Sequence, residues 1–321
     1  MATKETAVEE SRMKVISADL EESLVLPEET VSTWTLAFRR LRHHKLAMIG
    51  LVVLLVFILS AVLAPVIAPY PYDAIDLQNR LSAPSRAHIF GTDDLGRDTF
   101  TRILYAGRIS LSVALIVTVI SALVGTTIGA VSGYYGGVTD TVLMRFTDIR
   151  LTLPVLPLLM IISKSLRDMQ ALQKAFGNLL SVIVIIVVIA VFDWMSTARL
   201  VHGAALSLKE REFMEAARAL GVSGRATILR HLIPNSLAPI IVAATFSFGG
   251  TVVYEATLSF LGLGIQPPTP SWGNMLTDVQ KLMMRNPWIA FYPGLCIFFT
   301  VLSINFLGDG LRDALDPRLK M

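Results

Sequence analysis

Few residues in this chain have types and spacings that could do chemistry. Asp193 and Glu255 each lie inside a long apolar run. An ionised acid at the centre of a bilayer costs about 2.5–3.5 kcal/mol, so each must face protein or water. Two roles are open to them. Either could line a path, meeting a substrate ammonium or helping to gate it, or either could be a structural acid paired with a neighbour such as Arg199. A second cluster is Phe90-Gly91-Thr92-Asp93-Asp94-Leu95-Gly96-Arg97-Asp98. Its acids do not alternate and no Glu closes the run, so the calcium-loop pattern is absent and a structural turn is expected. The one cysteine, Cys296, sits in an apolar run, which excludes an intrachain disulfide and a thiolate metal cluster. No Gly-x-x-x-x-Gly-Lys-Ser/Thr phosphate loop occurs, so no ATP site of that kind and no cofactor is expected in this chain.

The most informative polar stretch runs from Lys209 to Pro234. Phe213, Ala216, Ala217 and Leu220 are spaced as one face of a helix, with Lys209, Glu210, Arg211, Glu212, Glu215 and Arg218 on the others. Glu215 and Arg218 are placed to pair, for about 0.2–0.5 kcal/mol. Gly221 is placed to end that helix with a positive φ. Ser223 can cap a second short helix over 224–232, which Pro234 ends. The pattern predicts a helix, a sharp break and a second helix, with a shallow surface at Ala216-Ala217. A plain solvated connector and a docking element both fit it.

The elements that would hold these residues are membrane helices. Hydrophobic residues make up 53% of the 321 and charged residues 17%, and the apolar ones come in long blocks. The expected fold is all-α and polytopic, with six spans near 46–67, 109–133, 140–162, 178–196, 237–261 and 288–307. Residues 1–33 read as an acid-rich, poorly ordered tail with no signal-peptide core. A basic amphipathic approach and the first span are expected over 34–67, and a polar extracytoplasmic segment over 68–108. The core takes 109–308, with the charged loop at 206–236, and a short tail follows at 309–321. Pro154 and Pro157 permit a bend in the third span. Gly125, Gly129 and Gly133 repeat every fourth position, which flattens one helix face for close helix contact. The net charge of +3 is spread over several loops, so no nucleic-acid stripe forms. Most Lys and Arg fall in segments that a cytoplasmic start puts inside, with both termini and the charged loop.

The charged loop resembles the EAA loop of ABC importer permeases: Glu215-Ala216-Ala217, three residues, Gly221, then Ile233-Pro234. His231 and Ile233 depart from the general pattern. Arg230 to Asn235 is similar to the variant found in the oligopeptide/dipeptide (OppC/DppC-type) branch. Further runs resemble that branch: Arg39-Arg40-Leu41, the Phe90–Asp98 run, Gly133-Tyr134-Tyr135-Gly136-Gly137, Leu258 to Gly264, Gln266 to Asn274, and Asn305 to Pro317. Asp193 is a departure, standing where that family has a small uncharged residue. The resemblance implies a permease subunit in the cell membrane, paired with a second, homologous permease. Two cytoplasmic ATPases holding ATP and Mg would drive it, and an extracytoplasmic binding protein would deliver peptide. It implies that Phe213, Glu215, Ala216, Ala217, Arg218, Leu220 and Gly221 couple to an ATPase. Nickel, glutathione or another small solute of the same branch is the alternative cargo. A proton-coupled carrier using Asp193 and Glu255, and a scaffold without transport, are the readings from other classes.

Overall fold

A computed structural model describes residues 33–315, with the exception of Asp278 and Arg285. The acid-rich tail expected over 1–33 falls almost wholly outside the described residues, as does the end of the chain beyond 315. The described chain is helical. The principal elements are α1 (Thr33–His43), α2 (Lys45–Val62), α3 (Thr99–Tyr135), α4 (Gly137–Thr152), α5 (Val155–Arg167), α6 (Leu180–Lys209), α7 (Glu212–Ala219), α8 (Leu237–Phe260) and α9 (Trp288–Leu315). Among the described residues five helices are long and apolar enough to cross a membrane: α2, α3, α8, α9 and the stretch containing α6. A sixth crossing is counted if α4 and α5, bent by 89°, form one broken span.

The centre of the bundle is the long contact between α3 and α6, and small residues make it. A Cβ placed on Gly125 would stand 2.6 Å from the Trp194 carbonyl oxygen, and one on Gly133 would stand 2.5 Å from the Ala205 Cβ. Without side chains there, the two backbones approach closely and gain dispersion contact that a lipid tail cannot replace. At the other end of the pair, Val113, Val117, Val184, Ile185, Val188 and Ile189 form a compact apolar cluster. α8 and α9 pack against this pair, and α2 packs on α9. The α2–α9 contact repeats the small-residue device: a Cβ on Gly50 would meet the Ser303 carbonyl oxygen at 2.5 Å, and one on Gly310 would meet Ala47 at 2.3 Å. Leu46, Ile49, Val52, Leu55, Val56 and Leu59 stay exposed on α2, the face a lipid would cover.

Several span boundaries differ from the expectation, for identifiable reasons. α3 starts ten residues early, at Thr99, because the Asp98 carboxylate accepts a 2.8 Å hydrogen bond from the Thr101 amide and caps the helix. Arg102 can then sit buried in the first turns, its Nη1 donating to the Tyr72 carbonyl at 3.3 Å and its Nε lying 3.5 Å from the Asp93 carboxylate. α6 runs on past Ser196 to Lys209, since Arg199 meets Asp148 of α4 at 3.9 Å and His202 meets Asp140 at 2.8 Å. The connection expected over 163–177 is largely helical. The third span is two helices at a steep angle. Pro154 caps α5, and Pro157 falls in its first turn, where its missing N–H costs little. α9 continues to Leu315 and absorbs most of the short tail.

Candidate functional site

The stretch 209–236 folds as a tight helical knot beneath one end of the bundle. α7 is anchored by Met214, which is buried in one cluster with Ala130 of α3, Val201 and Ala205 of α6, Ile228, Leu232 and Ile240, and Ala217 on the same helix is also buried. Phe213, Glu215, Ala216 and Leu220 remain exposed, Leu220 at 83%. The single face expected for Phe213, Ala216, Ala217 and Leu220 is therefore divided. Ala217 turns inward beside Met214, while Phe213, Ala216 and Leu220, at i, i+3 and i+7, make an outward apolar stripe. Leu229 adds a further exposed side chain on the following turn, which sequence reasoning passed over because it reads as core of the second helix. Phe213, Leu220 and Leu229 are thus large apolar side chains left uncovered on a polar loop.

The break after α7 has the expected chemistry. Gly221 has φ +74°. The Gly221 amide donates to Arg218 O at 3.0 Å and the Val222 amide to Ala217 O at 3.1 Å, the two bonds of a Schellman turn. Ser223 accepts from the Ala226 amide at 3.4 Å and caps the next helix, Gly224–Thr227. Beyond it the chain stays helical through a π turn, Ile228–Leu232, and an α turn, Ile233–Asn235. Pro234 does not end this element as expected. The π turn frees the geometry for it, and Ser236 Oγ donates to the Leu232 carbonyl at 2.9 Å.

Arg218 also differs from its expected pairing with Glu215. Its Nη2 donates to the Lys209 carbonyl at 2.7 Å, and its guanidinium lies 6.0 Å from the centre of the Tyr134 ring. One side chain thus closes the C-terminal end of α6 and clasps α7 to the end of α3. Tyr135 stands against Gly224, where a Cβ would come within 2.9 Å of its hydroxyl. α7 and the turn after it are therefore tied to α3 and α6 by direct contacts.

The two intramembrane acids lie apart from this knot and from each other. Asp193 is buried and accepts a hydrogen bond from Ser247 Oγ, which ties α6 to α8. Arg199 is engaged with Asp148 instead. Glu255 is fully buried, with one carboxylate oxygen accepting from Ser110 Oγ at 2.8 Å and the other from Ser259 Oγ at 2.7 Å. The Phe90–Asp98 run is a structural turn. Asp93 accepts from the Leu95 and Arg97 amides, both at 2.9 Å, and from Arg97 Nε at 2.7 Å. Among the described residues no group of His, Cys, Asp and Glu is arranged to hold a metal.

Comparisons with known proteins agree with this architecture. Residues 125–321 match the family described as binding-protein-dependent transport system inner membrane component, and residues 32–84 match the N-terminal TM domain of oligopeptide transport permease C. The dipeptide transport system permease protein DppC of Alkalihalophilus pseudofirmus is 43% identical over 290 residues, covering 90% of this chain and 91% of that protein. The oligopeptide transport system permease protein OppC of Bacillus subtilis is 37% identical over 295 residues, covering 92% and 93%. The glutathione transport system permease protein GsiD of Escherichia coli is 39% identical over 298 residues, covering 92% and 94%. Among solved structures, an inward-facing MetNI methionine ABC transporter chain superposes with a TM-score of 0.51 over 65% of this chain and 93% of that one. At 19% identity this shows a shared fold. The chain belongs to the binding-protein-dependent transport inner membrane component family, as a multi-pass, non-catalytic ABC importer permease of the OppC/DppC type.

Proposed function

We propose that the chain is one of two homologous permease halves of an ATP-driven peptide importer, and that α7 with its glycine break is where one of two cytoplasmic ATPases docks. The family works with an ATPase partner and a binding protein, so this chain supplies part of the path and receives force. The observation that carries the docking reading is the division of α7. Met214 fastens it to the bundle and Ala217 is buried, while Phe213, Ala216 and Leu220 stay bare. Glu215 flanks the bare stripe, Gly221 fixes the turn that presents it, and Arg218 holds it to α3 and α6. Rigid-body closure of two ATPases would push paired α7 helices, and the α3–α6 contact would carry that motion along the bundle. In this orientation both termini and α7 are cytoplasmic, and residues 68–98 and 262–287 face the binding protein.

Peptide is the cargo supported by the names of the dipeptide and oligopeptide relatives. Glutathione, carried by a relative of similar identity, is itself a tripeptide and is the second reading. Purification of the native complex decides the assembly: a second permease and two ATPase chains should co-purify. Uptake of labelled dipeptide into vesicles, with binding protein and internal ATP present, decides the cargo. Competition by unlabelled glutathione but not by mixed dipeptides would move the reading to the glutathione branch. Uptake driven by a proton gradient without ATP would overturn it.

A further inference from the structure

At the end of the bundle opposite α7, the segment Ile265–Asn274 folds back into the helices. Trp272 is 1% exposed, with its indole Nε1 donating to the Ile103 carbonyl at 3.2 Å and its ring edge-on to Phe57 at 5.9 Å. The fit is close throughout. A Cβ on Gly107 would come within 2.9 Å of the Trp272 ring, and one on Gly273 would come within 2.5 Å of the Ala256 Cα. Asn274 braces the segment internally, its Nδ2 donating to the carbonyls of Thr269 at 2.7 Å and Ile265 at 3.2 Å. The outer edge of this cap, Gln266 and Pro267, borders two clefts, one also lined by Asp94 and Arg97 and the other by Arg167 and Asp168.

Beneath the cap sits the Glu255 carboxylate. Its two serine partners each do a second job. Ser110 Oγ accepts from the Trp272 amide at 3.3 Å, and Ser259 Oγ accepts from the Ile265 amide at 3.0 Å. A serine hydroxyl has one proton to donate and lone pairs with which to accept. By taking that proton from both serines, the carboxylate turns both oxygens toward the buried amides at the two sides of the cap. The acid therefore binds α3, α8 and the cap through hydroxyl relays, and none of its bonds points into open space.

We propose that Glu255 is a positioning residue that locks Ile265–Asn274 to α3 and α8, so that the cap and the clefts beside it move with those helices. This goes beyond the importer reading and does not depend on which solute is carried. It assigns Glu255 to the cap, not to a substrate ammonium.

Native Cys296 reports on the lock, because it is buried in the same cluster as Trp272, Ile103 and Ala61. The experiment is peptide-resolved labelling of Cys296 by N-ethylmaleimide in the purified complex, alongside uptake. Wild type should label slowly. Glu255→Ala should label severalfold faster and transport more slowly, with its ATPase still bound. Glu255→Gln, which keeps one acceptor oxygen, should fall between the two. Should Glu255→Ala fail to assemble, Ser110→Ala removes one relay and leaves the acid satisfied by Ser259, and its labelling should also rise. Labelling at the wild-type rate in whichever of these variants assembles would overturn the proposal. So would a Glu255→Gln protein with unchanged labelling and a raised KM for peptide, the pattern of an acid that meets substrate.

Discussion

Gly129 of α3 and Ala198 of α6 meet backbone to backbone: a Cβ on Gly129 would stand 2.2 Å from the Ala198 carbonyl oxygen. No side-chain rotation relieves a clash with a carbonyl, so the helices themselves would have to part. Gly129→Leu should therefore cost on the order of 3 kcal/mol and lower the thermal unfolding midpoint in detergent. Gly250→Ala on α8 is the control, since nothing lies within 4 Å of its Cβ position. That change should leave the midpoint unchanged or slightly raised, as expected when a helical glycine gains a methyl group.

Asp98 makes a second, separable contribution. Its carboxylate caps α3 at the Thr101 amide and lies 2.9 Å from His88 Nδ1, while the side chain is almost fully buried. Asp98→Ala should destabilise by about 1–2 kcal/mol through the lost cap. Asp98→Asn keeps an acceptor for the Thr101 amide and should recover most of that loss. Equal destabilisation by both variants, read from unfolding midpoints, would move the weight from the cap to the His88 contact.

The parts of the molecule that were legible in the sequence share one property: their cause is local. The glycine spacing 125, 129, 133 announces a flat helix face, and the run from Phe213 to Ser223 contains both its helix and the glycine that ends it. Span ends were less legible, because a polar residue ends an apolar run in sequence but not in a helix when the fold supplies its partner. Arg102 finds Tyr72 O, Arg199 finds Asp148 and His202 finds Asp140, so α3 and α6 run past the boundaries that hydropathy gives them. Glu255 was the least legible. Its Ser110 partner is 145 residues away, and nothing near either residue reveals the pairing.

α7 offers a sharp contrast between neighbouring apolar residues. Leu220 is 83% exposed and Met214 is fully buried. Leu220→Asp should leave the unfolding midpoint within about 0.5 kcal/mol of wild type, as for other surface changes, yet reduce co-purification of the ATPase and uptake. Phe213→Asp should behave in the same way. Met214→Asp places an unpaired charge among Ala130, Val201 and Ile228 and should prevent a stable fold. If Leu220→Asp and Phe213→Asp both retained wild-type ATPase binding, the exposed stripe would not be the docking face.

The turn at Gly221 can be tested without a side-chain clash, because nothing lies within 4 Å of its Cβ position. Any effect of substitution there is a backbone effect, set by the φ of +74°. Asn visits the left-handed region more readily than other non-glycine residues, whereas Ala pays roughly 1–2 kcal/mol to do so. Pro is held near φ −65° and removes the amide that donates to Arg218 O at 3.0 Å. Uptake should fall in the order Gly, Asn, Ala, Pro. The spans should stay folded throughout, since the turn lies outside the apolar clusters. If α7 couples the ATPase to the bundle, ATP hydrolysis by the assembled complex should become less dependent on the binding protein along the same series. A Gly221→Pro complex with wild-type uptake and wild-type ATPase co-purification would show that the shape of this turn carries no force.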